Sequence, residues 1–185
     1  MVLRFPHPAR RFIRNEDGAY SIEAALVLPT LIWCSLAMLT YVDGYRQQTM
    51  NLRTTYALSD MLSRQWDPVG PKFVDGLGRV HDHLTESDDE TFLRVTVAYW
   101  DEPANEHKLV WSDATSDGPV PLNQETLTDV AGAIPTMANG DSAIIVETWM
   151  NYVPAFNVGL KPSQFYNRVV TSPRFTPQLK YDVTK

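Results

Sequence analysis

Residues 24–42 read AALVLPTLIWCSLAMLTYV, a run of nineteen positions without a charged side chain. As a helix rising 1.5 Å per residue it would span about 28 Å, close to the ~30 Å hydrocarbon core of a bilayer. A helix buried in a soluble core is the competing explanation. Such helices keep a polar stripe, and Thr30, Ser35 and Thr40 are too few and too small to form one. A membrane-spanning helix is therefore expected. Tyr20 and Tyr41 stand at its two ends, where an aromatic ring straddles the interface, and Trp33 lies mid-run. Cys34, the single cysteine, falls mid-bilayer as a small apolar filler. That excludes an intramolecular disulfide framework, a multi-cysteine zinc site and thiol catalysis outside the membrane.

The flanks of this run differ in charge. Residues 1–18, MVLRFPHPARRFIRNEDG, hold four arginines against two acids, a net +2. The remaining residues hold twelve basic and twenty acidic side chains, a net −8, so the whole 185-residue chain stands at −6. A basic start before an apolar run is a membrane-targeting pattern, and arginine on the amino side orients that end to the cytoplasm. A basic arm that binds nucleic acid is the other use of such a segment. The apolar run that follows and the acidic balance of the chain argue against it and against phosphate-backbone binding generally. Ser35-Leu36-Ala37 fits the small-x-small pattern of an ordinary signal-peptidase site. However, the run continues through Met38, Leu39, Tyr41 and Val42, longer than a secretory apolar region. An uncleaved plain anchor is a third arrangement.

Two residues in this stretch need a reason. Glu23 sits at the edge of the run, where a bare carboxylate costs roughly 2–4 kcal/mol. A helix-start acid at the water interface, favoured by the macrodipole, is one account of it. Pro29 removes the donor that would reach the Ala25 carbonyl and is expected to kink or loosen the helix there, although proline is tolerated in membrane helices. Gly18-Ala19-Tyr20-Ser21-Ile22-Glu23 also has the form of a type IV prepilin signal: basic leader, glycine, glutamate five residues on, then an uncharged run. Cleavage after Gly18 creates an ammonium on Ala19. Glu23 lies one helical turn further, where its carboxylate compensates that charge in its own chain or a neighbour's. Gly18 carries no side chain to obstruct a protease.

The stretch GAYSIEAALVLPTLIW resembles the start of TadE-like proteins, minor pseudopilins of the tight-adherence (Tad, or Flp-type) pilus system. Gly18, Glu23 and Pro29 occupy the family's glycine, the glutamate five residues later and the proline six residues after that. The resemblance covers about Arg11 to Leu62 and is thinner beyond. There, Tyr152-Val153-Pro154 and Pro173-Arg174-Phe175 are similar to features near the end of such proteins. Tyr20-Ser21-Ile22 departs from the small or valine residues usual at those places. The chain is too short for the larger relatives with an appended von Willebrand-type domain. The resemblance implies a non-enzymatic assembly protein without a cofactor. Residues 1–18 would be a leader removed by a prepilin peptidase, 19–42 a transmembrane and assembly helix, and 43–185 a periplasmic stalk and pilin-like head. It places the chain in a bacterial inner membrane, from which it can enter an extracellular pilus. The partners it implies are the major pilin, other minor pseudopilins, the peptidase, the inner-membrane assembly platform and the lipid bilayer, with no nucleic acid. Glu23 would meet an Ala19 amine as helices pack side by side. A separate cytoplasmic ATPase would supply the energy.

Beyond residue 42 the pattern stays helical without staying hydrophobic. Met50, Ala57, Leu58, Met61 and Leu62 form a one-sided apolar stripe, with Arg46, Gln47, Asn51 and Arg53 off it. Asp67-Pro68-Val69-Gly70-Pro71 stops this stalk. Phe73, Leu77, Val80 and Leu84 outline a second short helix, weakened by Gly76 and Gly78. Leu93, Val95, Val97 and Tyr99 then alternate with polar or small residues as a half-buried strand. Lys108 to Ser112 is its partner across an Asp101–His107 hairpin loop, with Leu109 and Trp111 on one side. Leu127 to Ile134 reads as a short helix. Ile144 to Tyr152 and Phe165 to Val170 read as further strands. The fold class expected is α+β: a long amino-terminal helix continuing as a stalk packed on a small antiparallel-sheet head. The 143 residues from Asp43 suffice for one core without disulfides.

Motifs that carry chemistry are scarce. His81-Asp82-His83, with Glu86, Asp88, Asp89 and Glu90 nearby, is the candidate metal cluster, through His81, His83, Asp88 and Asp89. Two imidazoles at i and i+2 share a face only on a strand, and this stretch reads as helix or loop. Ser87-Asp88-Asp89-Glu90 lacks the glycine turn and closing glutamate of a calcium loop, so a solvated acidic loop is the plainer reading. No nucleophile elbow, zinc-protease motif or phosphate-loop lysine is present. Trp100, Trp111 and Trp149 fall in or beside strands, either as core or as exposed rings for a glycan or subunit. The other functions in view are a bitopic accessory or receptor protein, and a tethered periplasmic enzyme, which lacks a catalytic constellation.

Overall fold

The apolar run and the stalk form one helix. α1, Ala19–Ser63, is 45 residues long and runs on through Pro29, about 68 Å at the ordinary rise. The computed structural model describes residues 19–86 and 90–185. Among these, α1 is the one helix long and apolar enough to cross a membrane, and its apolar window is unburied. The hydroxyls that interrupt this surface turn back on the helix. Thr30, Ser35 and Thr40 donate to the carbonyls of Leu26, Leu31 and Leu36 at 2.8–2.9 Å. Each donor is thereby satisfied without solvent.

The rest of the chain is α2 (Pro71–Thr85), β1 (Thr91–Asp101), β2 (Glu106–Ala114), the single turn α3 (Thr128–Ala131), β3 (Ser142–Tyr152) and β4 (Ser163–Thr171). The four strands make one sheet in the order β2-β1-β3-β4, antiparallel throughout. This is the α+β layout expected, with each strand a few residues longer than its alternation suggested. Pro71 opens α2 where its missing N–H costs nothing. Glu86 closes it in the left-handed conformation, φ 50.

One sheet face carries Leu93, Val95, Val97, Ile144 and Val146 and packs on Leu58 and Leu62 of α1 and Leu77 of α2. The opposite face carries Ala98, Ala143 and Ile145 and is covered by Leu127, Val130 and Ile134 around α3. Residues 172–185 return as a strap across the first core. The Arg174 N–H donates to the Ser63 carbonyl at 2.8 Å, and Val69 exchanges backbone bonds with Lys180 and Asp182. Trp111 Nε1 donates to the Leu179 carbonyl. A Cβ on Gly70 would run into the Asp182 carbonyl and the Lys185 backbone. Gly70→Ala is accordingly expected to destabilise the head by about 1–3 kcal/mol, read from its denaturation midpoint.

Three expectations about faces need correction. The packed stripe of the stalk is Asn51, Thr55, Leu58, Ser59 and Leu62, all buried, whereas Ala57 and Met61 are exposed. Asn51 lies on this stripe rather than off it because it has buried partners to bond. On α2 the buried residues are Val74, Leu77, Gly78, His81 and Thr85, while Leu84 is exposed. A Cβ at Gly78 would lie 2.5 Å from the Thr115 methyl. The glycine that weakens the helix is thus what lets it approach β2 on that side. Finally, Leu109 and Trp111 do not share a face. The register steps from Val97↔Trp111 to Ala98↔Leu109, a β-bulge that leaves Val110 as the extra residue and reverses the alternation. Trp111 enters the first core and Leu109 packs on the second.

Candidate functional site

The residues singled out for processing and assembly lie at the start of α1. Ala19 is the first residue of the helix, Glu23 follows one turn on, and Pro29 lies inside. Gly18 is outside the described residues. Glu23 and its neighbours from Tyr20 to Leu31 are exposed on every side of the helix. The segment therefore presents a full apolar circumference to whatever surrounds it, with one carboxylate near its amino end. By length and composition this helix is apolar enough to cross a membrane.

The histidine cluster divides. On α2, residues i and i+2 point about 200° apart. His81 is fully buried and His83 is exposed. His81 Nε2 lies 2.8 Å from Asn51 Oδ1 and Nδ1 lies 3.0 Å from Thr91 Oγ1. Asn51 Oδ1 also accepts from Thr148 at 3.1 Å, and Thr148 is 2.7 Å from Thr55. With Nε2–H donating to the amide oxygen, Nδ1 is the unprotonated nitrogen of the neutral ring and faces the Thr91 hydroxyl, which also lies against the Asp82 carboxylate. Both nitrogens are thus occupied by a network that joins α1, α2, β1 and β3. Burial pushes the His81 pKa down to about 4, against a smaller opposing pull from Asp82. Asp88 and Asp89 lie outside the described residues. Among the described residues no group of three or more His, Cys, Asp or Glu side chains is placed to hold a metal ion.

A second polar cluster, unannounced by any motif, sits on the face of the sheet away from α1. Glu147 is fully buried at its centre. Arg94 reaches it through Nε at 2.8 Å and Nη2 at 2.6 Å. Arg168 Nε approaches from the other side at 3.2 Å, and the Tyr166 hydroxyl donates at 2.5 Å. Cross-strand register explains the convergence: Glu147 is opposite Arg94 on β1 and Arg168 on β4. Arg94 also donates to the Val120 carbonyl at 2.9 Å. Each guanidinium lies over a ring, Arg94 over Trp149 at 5.1 Å and Arg168 over Tyr166 at 5.4 Å. Together with Asp129 and Asn123 these residues line an open depression of about 510 Å³. Burial, then the Glu147 carboxylate, raises the Tyr166 pKa to about 12, so the phenol keeps its proton. The cluster has no paired nucleophile and base; its chemistry is charge neutralisation across three strands. The signal for it was the apolar face of residues 127–134, which needed a sheet face to cover and so buried the polar alternation of β3.

The tryptophans divide as well. Trp111 is core, stacked on Tyr181 at 4.9 Å. Trp100 packs against His107, and Trp149 against Tyr166. No family model matches this chain, and neither the curated proteins nor the solved structures contain a match.

Proposed function

We propose that this chain is a non-enzymatic minor pseudopilin of the TadE-like kind, an assembly component of a tight-adherence pilus. The observation that supports this reading most is the two-part α1. From Tyr20 to Ser35 it is apolar and exposed all round, with Glu23 one turn from Ala19, and from Thr40 onward it is built into a small antiparallel head. In this reading a prepilin peptidase cuts after Gly18. The helix from Ala19 then stands in the inner membrane with the head in the periplasm, and the assembly platform passes it to major and minor pilins through lateral helix packing. Glu23 compensates the new ammonium where water is scarce and an isolated charge is expensive.

Intact mass is the test. In cells with a prepilin peptidase, the membrane form is expected to lack residues 1–18, and replacement of Gly18 to leave the chain unprocessed. Glu23→Gln keeps the side-chain shape and removes the charge, so processing is expected to continue while piliation falls. Retention of Met1 in the mature protein from such cells would overturn the pseudopilin reading in favour of a plain anchor. Normal piliation with Glu23→Gln would leave Glu23 a helix-start acid only.

A further inference from the structure

We propose that the β3–β4 loop, residues 153–162, is a second membrane contact, lying in the headgroup–acyl boundary of the outer leaflet beside α1. The inference rests on the reading of α1 as a membrane span. It starts from the level at which the loop is held. Tyr152, the last residue of β3, places its hydroxyl 3.3 Å from the Thr40 carbonyl and 3.1 Å from an Asp43 carboxylate oxygen. A Cβ on Gly44 would touch both Leu160 and the Tyr152 ring at 3.4 Å, so both are seated against that turn of the helix. Thr40 and Gly44 are buried there, although Thr40 belongs to the uncharged run. The head therefore begins inside the last turn of the apolar segment, not beyond it.

The bilayer fixes the other coordinate. If Glu23 marks the cytoplasmic edge of the hydrocarbon, about 30 Å at 1.5 Å per residue ends about twenty residues on, near Asp43. The loop contacts α1 at that height. Its composition suits the place. Residues 153–160 read VPAFNVGL, eight positions without a charge, and Lys161 follows. Val158 is buried, while Val153 and Phe156 are exposed, Phe156 at 47%. Irregular backbone is not tolerated in hydrocarbon, but at the interface its polar groups keep headgroup and water partners while an aromatic ring dips inward. Lys161, exposed on the same loop, supplies a cation on a long stem that can pair with a lipid phosphate.

The test uses the full chain with Cys34→Ala, reconstituted in phosphatidylethanolamine–phosphatidylglycerol vesicles. A nitroxide is attached in turn to Phe156→Cys, to Ile32→Cys mid-run and to Val183→Cys beyond the far end of α1. Spin relaxation by oxygen, which concentrates in lipid, is compared with relaxation by a water-soluble nickel chelate. The label at 156 is expected to favour oxygen, less strongly than at 32, with 183 favouring nickel. A label at 156 that favours nickel while 32 favours oxygen would overturn the loop contact and leave the span intact. Shielding from both reagents at 156 would mean a protein neighbour instead of lipid, and would overturn it too. Nickel-favoured relaxation at both 156 and 32 would remove the span and the loop contact together.

Discussion

Glu147→Ala is expected to destabilise the head by about 3–5 kcal/mol, the cost of removing one partner from a buried ionic cluster. The side chain is 1% exposed, and its two arginine partners are 12% and 24% exposed. Removing the carboxylate strands two guanidinium groups over aromatic rings, with only the Val120 carbonyl left as a partner for Arg94 in this cluster. Tyr166 loses its acceptor as well. Glu147→Gln should cost less, because the amide oxygen still accepts one bond while the charge is gone. Urea denaturation in detergent, followed by far-ultraviolet circular dichroism, reads the difference. A loss below about 1 kcal/mol for the alanine variant would mean that the arginines find water and that the cluster is not a structural clamp.

Acid is expected to produce the second large effect. The folded pKa of His81 lies at about 4, below its ordinary 6.5. The unfolded chain therefore takes up this proton first as pH falls. The stabilisation is complete above pH 6.5, declines through the interval down to pH 4 and is gone below it, a total of about 3 kcal/mol. The carboxylates lowered by partners, Asp101 and Asp182, act only below that window. His107, also lowered by burial, adds in the same direction. His81→Gln, which offers Asn51 a donor without a titrating ring, should flatten the slope between pH 6.5 and 4. A variant with the same slope as the parent would assign the acid sensitivity elsewhere.

The parts of this fold legible in the sequence were those governed by one period at a time. The uncharged run ahead of the stalk, the alternation of β1 and β3, and the Pro-Gly stop before α2 each answer to local rules. What was missed depends on groups far apart in the chain. Asn51 reads as a surface residue until His81 and Thr148, 30 and 97 residues away, supply its partners. Glu147, which alternates with the apolar Val146 in the strand expected from Ile144 to Tyr152, has the place of a solvent-facing residue until residues 120–134 cover that face. The Leu109–Trp111 pair reads as one face until the bulge at Val110 is known, and a bulge leaves no compositional mark there. The candidate assembly residues were read from local spacing alone, Ala19 and Glu23 one helical turn apart and Pro29 further along the same helix. The histidine network and the arginine–glutamate cluster were not, because both are assembled by sheet register and by helix docking.

The docking of the head along α1 has a mechanical consequence. Attachments are distributed from Thr40, under the Tyr152 hydroxyl, through Asn51, Thr55, Leu58 and Leu62 to the Ser63 carbonyl, held by Arg174. That is roughly 35 Å of helix at 1.5 Å per residue. A pull on the head directed along the helix axis loads these contacts in shear, all at once, instead of peeling them from one end. Rupture then requires the apolar seam, the Asn51 network and the carboxy-terminal strap to slip together. Tension on the head is carried straight into the apolar half of the same rod, with no hinge between them.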